Sequence, residues 1–435
     1  DRQDLGTRRH RRTAAGGVTV YEWSDTDIIM RDTVREFIAK EIRPHLDDLE
    51  TGAISPYPFA RKLFSEFGLD VMAAEAVKTM LDKQRTRQAS ETTSERPAKA
   101  DGIGEIGAQA SMAAVLISEI AGVSIGLLST IGVSLGLGAA TIMSRGTLAQ
   151  KERWLPELMT LDKVAAWAIT EPDSGSDAFG GMKTNVKRDG ADYLLNGQKT
   201  FITNGPDADV IVVYAKLIDD SGTDARQRPV LTFVLDAGMP GLTQGRPFKK
   251  MGMMSSPTGE LFFDNVRLGP DRLLGESEQH AGGDGRDSAR ANFAAERLGV
   301  AVMALGIINE CHRLCLDYAA SRTLWGKNIG QFQLIQLKLA RIEIARMNVQ
   351  NMVFQTLERL ADGKMPTLAE ASAIKLYSSE AATEVAMEAV QLFGGNGYMA
   401  EYRVEQLARD AKSLMIYAGS NEIQVTHIAK GLLAG

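Results

Sequence analysis

The chain has 435 residues, 44% hydrophobic and 24% charged, which suits two or three domains or one large subunit and excludes a wholly disordered chain. Acids outnumber bases, 55 to 49, for a net charge of -6, so no basic surplus offers a nucleic-acid surface. Residues 1–23 open on the Arg-rich DRQDLGTRRHRRTAAGG without apolar periodicity. They read as a disordered tail or tag remnant, with a trimmed organelle-targeting sequence as the alternative.

From 24 to 162 the pattern is helical. SDTDIIMRDTVREFIAKEIRP opens on a Ser/Asp cap and stops at Pro44. Residues 83–101, KQRTRQASETTSERPAKAD, are dense in charge and free of aromatics, and read as a solvated loop insertion. Residues 120–144, IAGVSIGLLSTIGVSLGLGAATIMS, carry no charge and are long enough to span a bilayer. Gly and Ser fill much of that run, and it lacks flanking aromatic or basic anchors. The expectation is therefore a buried helix pair, close-packed through its small residues, and no integral membrane segment.

Between 163 and 280 the character changes to β. Runs such as DVIVVYAKL and RPVLTFVLD alternate with turn signals, and Asn196-Gly197 in YLLNGQKTFITNG predicts a hairpin turn. Its second strand puts Phe201 and Thr203 on one face, where an aromatic ring beside a hydroxyl suits a flat cofactor. Ahead of it, AWAITEPDSGSD (166–177) runs an apolar strand into a turn rich in small residues, whose backbone N–H groups can meet an anion or a heterocycle.

From 281 to 435 the helical period returns, with FQLIQLKLARIEIARMNVQNMVFQTLERLADGK ending near Gly363. Cys311 and Cys315 stand four apart in a helix and read as reduced core thiols of an intracellular protein. The histidines at 10, 45, 280, 312 and 427 show no metal-ligand spacing, and no GxGxxG follows a strand. QLFGGNGY (391–398) lets a ligand approach the backbone, and IYAGSNEIQ (416–424) is a turn with Ser420 as a helix N-cap. One feature is costly: Glu296 and Arg297 sit at the edge of an uncharged run from Leu298 to Ile308.

Taken in order, ITEPDSGSD, NGQKTFITNG, FGGNGY and YAGSNEIQ make residues 24–433 resemble the acyl-CoA dehydrogenase family. The resemblance implies a mainly α fold with a β domain: an N-terminal helical domain, a middle antiparallel β domain and a C-terminal four-helix bundle. It implies FAD, an acyl-CoA substrate, an electron-transfer flavoprotein as acceptor, and a homotetramer built as a dimer of dimers. It implies a cytoplasmic protein if bacterial and a mitochondrial matrix protein if eukaryotic.

By motif, the resemblance sets Trp167, Ile169, Thr170 and Ser176 along flavin or thioester, and Phe201 and Thr203 over the flavin ring. The family more often has Trp where Phe201 stands. Arg322, Phe332, Gln333, Gln391, Gly394 and Gly395 match positions that reach the FAD of a neighbouring subunit, while Ser420 and Glu422 match flavin contacts. Leu324 and Trp325 depart from the usual Thr-Phe.

Many relatives carry the catalytic base as Glu in a YEG turn, but here the turn is Tyr417-Ala418-Gly419. A minority, including the isovaleryl-CoA and long-chain enzymes, place it in an ERL sequence on the bundle's first helix. Glu296-Arg297-Leu298 matches that arrangement. Glu296 is thus the expected base, with Arg297, Ser176 and the Ala418–Gly419 turn on the substrate. Ala418 lacks a carboxylate but keeps the N–H expected to bind the thioester carbonyl. The rivals are an acyl-CoA oxidase or flavin monooxygenase of this fold, and a non-enzymatic assembly homologue. The turn after the third helix lacks the family's usual Pro-Glu-x-x-Gly-Gly, so the substrate entrance is the least transferable region. The sequence fixes neither pocket depth nor width, and the acyl chain, straight or branched, is left open.

Overall fold

The computed structural model describes residues 23–90, 103–218, 223–279 and 283–434, with short strand pieces at 12–13 and 19–20. Helix α1 (Asp25–Phe37) opens on a capping box, in which the Ser24 hydroxyl and the Asp27 carboxylate each accept the other's backbone N–H. Beyond Phe37 it widens through Ile38–Ile42 and closes in a 3-10 turn at Arg43–His45, where Pro44 cannot continue the ladder. A short helical stretch, Leu46–Thr51, is followed by α2 (Tyr57–Glu66), α3 (Leu69–Ser90), α4 (Ile103–Ala121) and α5 (Ile125–Arg145). The group ends with α6 (Leu148–Met159).

The charged insertion is shorter than its composition suggests. Residues 83–90 extend α3 as helix, and the rest of 83–101 lies outside the described residues. Lys and Arg lose little side-chain freedom in a helix, so a charged stretch can continue one that is already nucleated. The uncharged run at 120–144 is buried as expected. Its small residues permit close approach: a Cβ on Gly138 would stand 2.5 Å from the Cβ of Ala165. Among the described residues two helices, Ile125–Arg145 and Gly285–Ser321, are long and apolar enough to cross a membrane; the most apolar window of the first is 67% buried inside the protein and that of the second 53%.

Seven strands form one curled sheet: β1 (Ala165–Ala168), β2 (Asn185–Asp189), β3 (Asp192–Thr203), β4 (Val210–Ile218), β5 (Val230–Asp236), β6 (Leu242–Gln244) and β7 (Thr258–Leu268). It is not purely antiparallel. Strand β4 pairs antiparallel with β5 on one edge and parallel with β1 and then β2 on the other. Val212 and Tyr214 face the helices while Ile211 and Val213 pack inside the curl. Burial on both faces is why this strand reads as an unbroken apolar run.

The predicted hairpin at Asn196-Gly197 is a correction. Strand β3 runs straight through both residues, with a register shift against β7 between Leu195 and Gly197. The β2–β3 turn lies instead at Gly190, φ +65°. Gly197 is required for contact rather than turning, because a Cβ there would fall 2.6 Å from the Thr184 backbone.

The remaining helices, α7 (Gly285–Ser321), α8 (Gln333–Ala361), α9 (Leu368–Phe393), α10 (Val404–Ser413) and α11 (Asn421–Leu433), make the bundle. Its core includes Ala304, Ile308, Ile342, Val349, Ala382 and Val385, together with both cysteines as free, fully buried thiols.

Candidate active site

The β portion is organised by one buried ion pair. Strand β1 ends at Ala168, and the chain turns through Ile169, Thr170 and Glu171. The Lys199 ammonium, wholly buried on β3, donates to Ile169 O at 3.0 Å and to the Glu171 carboxylate at 2.9 Å. Glu171 also accepts the backbone N–H groups of Lys183 at 2.6 Å and Thr184 at 2.9 Å. Burial works against its ionisation, but the contacts of these three partners win and its pKa lies below the usual range.

Beside that pair β3 bulges. Thr200 N–H donates to Thr170 O at 2.9 Å, and Phe201 adopts φ +57° before pairing resumes at Ile202. The bulge swings the Phe201 ring out, 66% exposed, while Ile202 stays buried. Thr203 is half-buried next along the same side, and Thr170 stands across the strand junction. The residues present thus fit a flat, hydrogen-bonding ring: an uncovered aromatic face, a nearby hydroxyl and open backbone around Gly175. Ile169 is buried and Ser176 exposed. Trp167 lies in the layer between sheet and helices, its indole N–H given to the Tyr214 hydroxyl at 3.2 Å.

The bundle contributes Glu296 and Arg297 from α7. Burial lifts the Glu296 carboxyl to about 7, against the opposing pull of Arg297 and Lys375. Among the described residues Glu296 forms no hydrogen bond. Arg297 is 2% exposed, donates from Nη1 to the Ser372 hydroxyl at 3.0 Å, and has its Nε unpartnered. Its other terminal nitrogen approaches Gly419, 3.5 Å from where a Cβ would stand, so the guanidinium lies against the 417–419 turn.

That turn has two left-handed residues in succession, Ala418 at φ +56° and Gly419 at φ +80°. Their carbonyls are held from behind. Gln424 Nε2 donates to Ala418 O at 3.0 Å and Gly419 O at 2.7 Å, and Lys375 Nζ donates to Gly419 O at 2.9 Å. Among the described residues the Ala418 N–H has no acceptor and remains available. Tyr417 reaches Met303 Sδ at 3.5 Å, and burial, with Glu296 nearby, raises its phenol pKa. Ser420 occupies the N-cap of α11, but its side chain makes no cap bond, contrary to expectation. Glu422 is exposed.

A third group stands apart. Arg322 and Gln333 are exposed at the far end of α7 and the start of α8, with Phe332 half-buried beside them. Tyr318 stacks on Phe393 at 4.0 Å, bringing Gln391, Gly394 and Gly395, all exposed, to that same end. Helix α7 separates this group from Glu296 by roughly 40 Å, at ~1.5 Å per residue. One flavin in one chain cannot meet both ends.

Sequence reasoning missed Lys199, Lys375 and Gln424. Lys375 had a signal: it is the one cation on the face Ala371, Ser372, Lys375, Ser379, Ala382, otherwise made of small residues. Lys199 shares the parity of the buried Tyr193 and Leu195 along β3, but a lysine in that register gives no sign of burial until its Glu171 partner is known.

Comparison with known proteins agrees with this geometry. Three family descriptions match in order: acyl-CoA dehydrogenase N-terminal domain over residues 74–162, middle domain over 166–266, and C-terminal domain over 283–433. An acyl-CoA dehydrogenase of Bacillus subtilis is 34% identical over 408 residues, covering 94% of this chain and 98% of that protein. The solved butyryl-CoA dehydrogenase of Megasphaera elsdenii superposes with a TM-score of 0.80 at 30% identity, covering 95% of this chain and all of that one. A glutaryl-CoA dehydrogenase of Mycobacterium smegmatis, solved in complex with FADH2, gives a TM-score of 0.78 at 25% identity over 95% of each chain. This chain belongs to the acyl-CoA dehydrogenase family, flavin-dependent oxidoreductases that act on a CH–CH bond of an acyl thioester.

Proposed function

We propose that this protein binds FAD and removes the α- and β-hydrogens of an acyl-CoA to give the trans-2-enoyl-CoA, with Glu296 as the base. The observation that carries the assignment is the pairing of a half-buried, unbonded carboxylate at Glu296 with an adjacent turn whose Ala418 N–H has no acceptor. With a pKa of about 7, Glu296 ionises near neutrality yet remains basic enough to take the pro-R α-proton. The Ala418 N–H supports the thioester oxygen as negative charge develops there. Arg297 fixes the turn and balances the Glu296 charge. Phe201, Thr203, Thr170 and Ile169 hold the flavin ring, with Ser176 and Ser420 at its margins. Bound FAD would supply the hydride acceptor for the β-hydrogen.

The 40 Å separation supports a homotetramer in which Arg322, Phe332, Gln333, Gln391, Gly394 and Gly395 serve a neighbouring subunit's cofactor. The electrons then pass to an electron-transfer flavoprotein. Anaerobic mixing with straight and branched acyl-CoAs, short to long, tests this reading and also sorts the acyl preference. Bleaching of the flavin by at least one is expected. A flavin that stays oxidised with all of them, or a colourless purified protein, overturns it; fast peroxide production in air points to an oxidase instead.

A further inference from the structure

We propose that Lys375 is a positioning residue for this reaction, holding the Ala418–Gly419 turn from behind and setting the charge balance around Glu296. The inference rests on Glu296 being the base. Lys375 lies on α9, wholly buried, and its ammonium donates to Gly419 O at 2.9 Å and Asn421 Oδ1 at 2.8 Å. A buried ammonium is costly, and a helix face of Ala and Ser has no packing need for one. What the charge does is visible in its partners. It grips the carbonyl of Gly419 while Gln424 takes the other lone pair of that oxygen and the carbonyl of Ala418. With those carbonyls drawn toward α9 and α11, the turn keeps two successive left-handed residues and the Ala418 N–H stays free.

The same ammonium acts on Glu296 through space. It and Arg297 are the two cations that oppose the burial of that carboxylate, and neither is hydrogen-bonded to it. The groups facing Lys375 are Arg297 and Glu296 on α7, Glu422 and Asn421 on α11, and Glu380 on its own helix. Burial, then Arg297, brings the lysine down to about 8, against the carboxylates' pull. The charge is therefore present at neutral pH and lost in mild alkali. Because it favours ionised Glu296, removing it should move that carboxyl further upward.

The test compares wild type with Lys375→Met and Lys375→Gln, using the acyl-CoA that bleaches the wild-type flavin fastest. In Lys375→Met, kcat should fall tenfold or more while KM changes by less than about threefold, since the N–H contact strengthens only as the transition state forms. The acid limb of kcat/KM should move up by about one pH unit or more, the scale of a lost neighbouring charge. Lys375→Gln, which keeps a donor but no charge, should show the same acid-limb shift with a smaller loss of kcat. An unmoved acid limb and wild-type kcat in Lys375→Met overturn the proposal. Should the Met variant fail to fold, wild type still decides: its kcat/KM must decline above about pH 8, and a profile flat to pH 10 overturns the proposal. Failure of the underlying reading looks different, because Glu296→Gln would then itself retain activity.

Discussion

Two glutamates withdrawn from solvent, Glu171 fully and Glu296 by half, each feel a buried lysine and end up on opposite sides of the ordinary carboxylate pKa. Glu171 has a hydrogen-bonded partner in Lys199 and two backbone N–H donors, and its pKa is held down. Glu296 feels Arg297 and Lys375 through space, has no hydrogen bond among the described residues, and is raised to about 7. Nearby charge alone does not keep a carboxylate ionised. Direct donors do, and where they are withheld burial dominates. Glu171 is thereby locked as a clamp between the β1 turn and the β3 bulge, while Glu296 is left basic.

The sharpest way to break this contrast is to remove the carboxylate proposed as the base. Glu296→Gln keeps the shape, so flavin content and assembly should persist while turnover drops by roughly two to four orders of magnitude, the usual worth of a positioned base. Stopped-flow bleaching of the flavin measures it, and near-wild-type rates would end the assignment.

Next in size is the clamp. Lys199→Met leaves Glu171 as a buried carboxylate without its cation, which should cost on the order of 3–5 kcal/mol in urea unfolding. The double variant Lys199→Met, Glu171→Leu removes both charges and should recover much of that loss. If the single variant is as stable as wild type, Glu171 draws its ionisation from the backbone donors and the lysine is incidental.

A third effect has the opposite sign. The Glu296 pKa rises from an unfolded value near 4.5 to about 7. Between those pH values the folded state binds more protons than the unfolded one, so stability from this group falls as pH climbs and the penalty is complete above about 7. Glu296→Gln should therefore be more stable than wild type at pH 8 by about 1–3 kcal/mol, discounted for partial exposure, and close to it at pH 5. Equal stability at both would show that the carboxyl is not strained. Such a cost to the fold is the trade expected of a carboxylate kept basic for catalysis, the role proposed for Glu296.

Periodicity and turn chemistry made most of the architecture legible in the chain. The helical blocks, the β interval and the buried Gly/Ser run follow from apolar spacing that folding must satisfy. The errors came where one local signal has two physical uses. Asn-Gly serves a hairpin turn or a bulge pressed against another backbone, and only the approach of Thr184 separates them. Ser420 has the identity of a cap without forming the bond. The candidacy of Glu296 followed from the Ala418 departure, whereas Lys375 shows in the chain only as a lone cation on a small-residue face, and its contacts to Gly419 and Asn421 join residues too far apart for a local pattern to encode.

The smallest predicted effect is the most specific. Ala418 already holds φ +56° as a residue with a Cβ, so Ala418→Glu adds little backbone strain. The guanidinium of Arg297, the residue after Glu296 on α7, lies against Gly419, so the turn and the helix end carrying Glu296 are neighbours. In the Glu296→Gln background, Ala418→Glu should return activity by roughly tenfold over the single variant. Full recovery is not expected, since a base displaced by about 1 Å can lose on the order of a hundredfold. In the wild-type background the same change should lower activity, because two carboxylates in one poorly hydrated site cannot both ionise cheaply and one must hold its proton. A double variant that binds flavin and acyl-CoA but works no faster than Glu296→Gln would mean that the helix and the turn do not converge on one point.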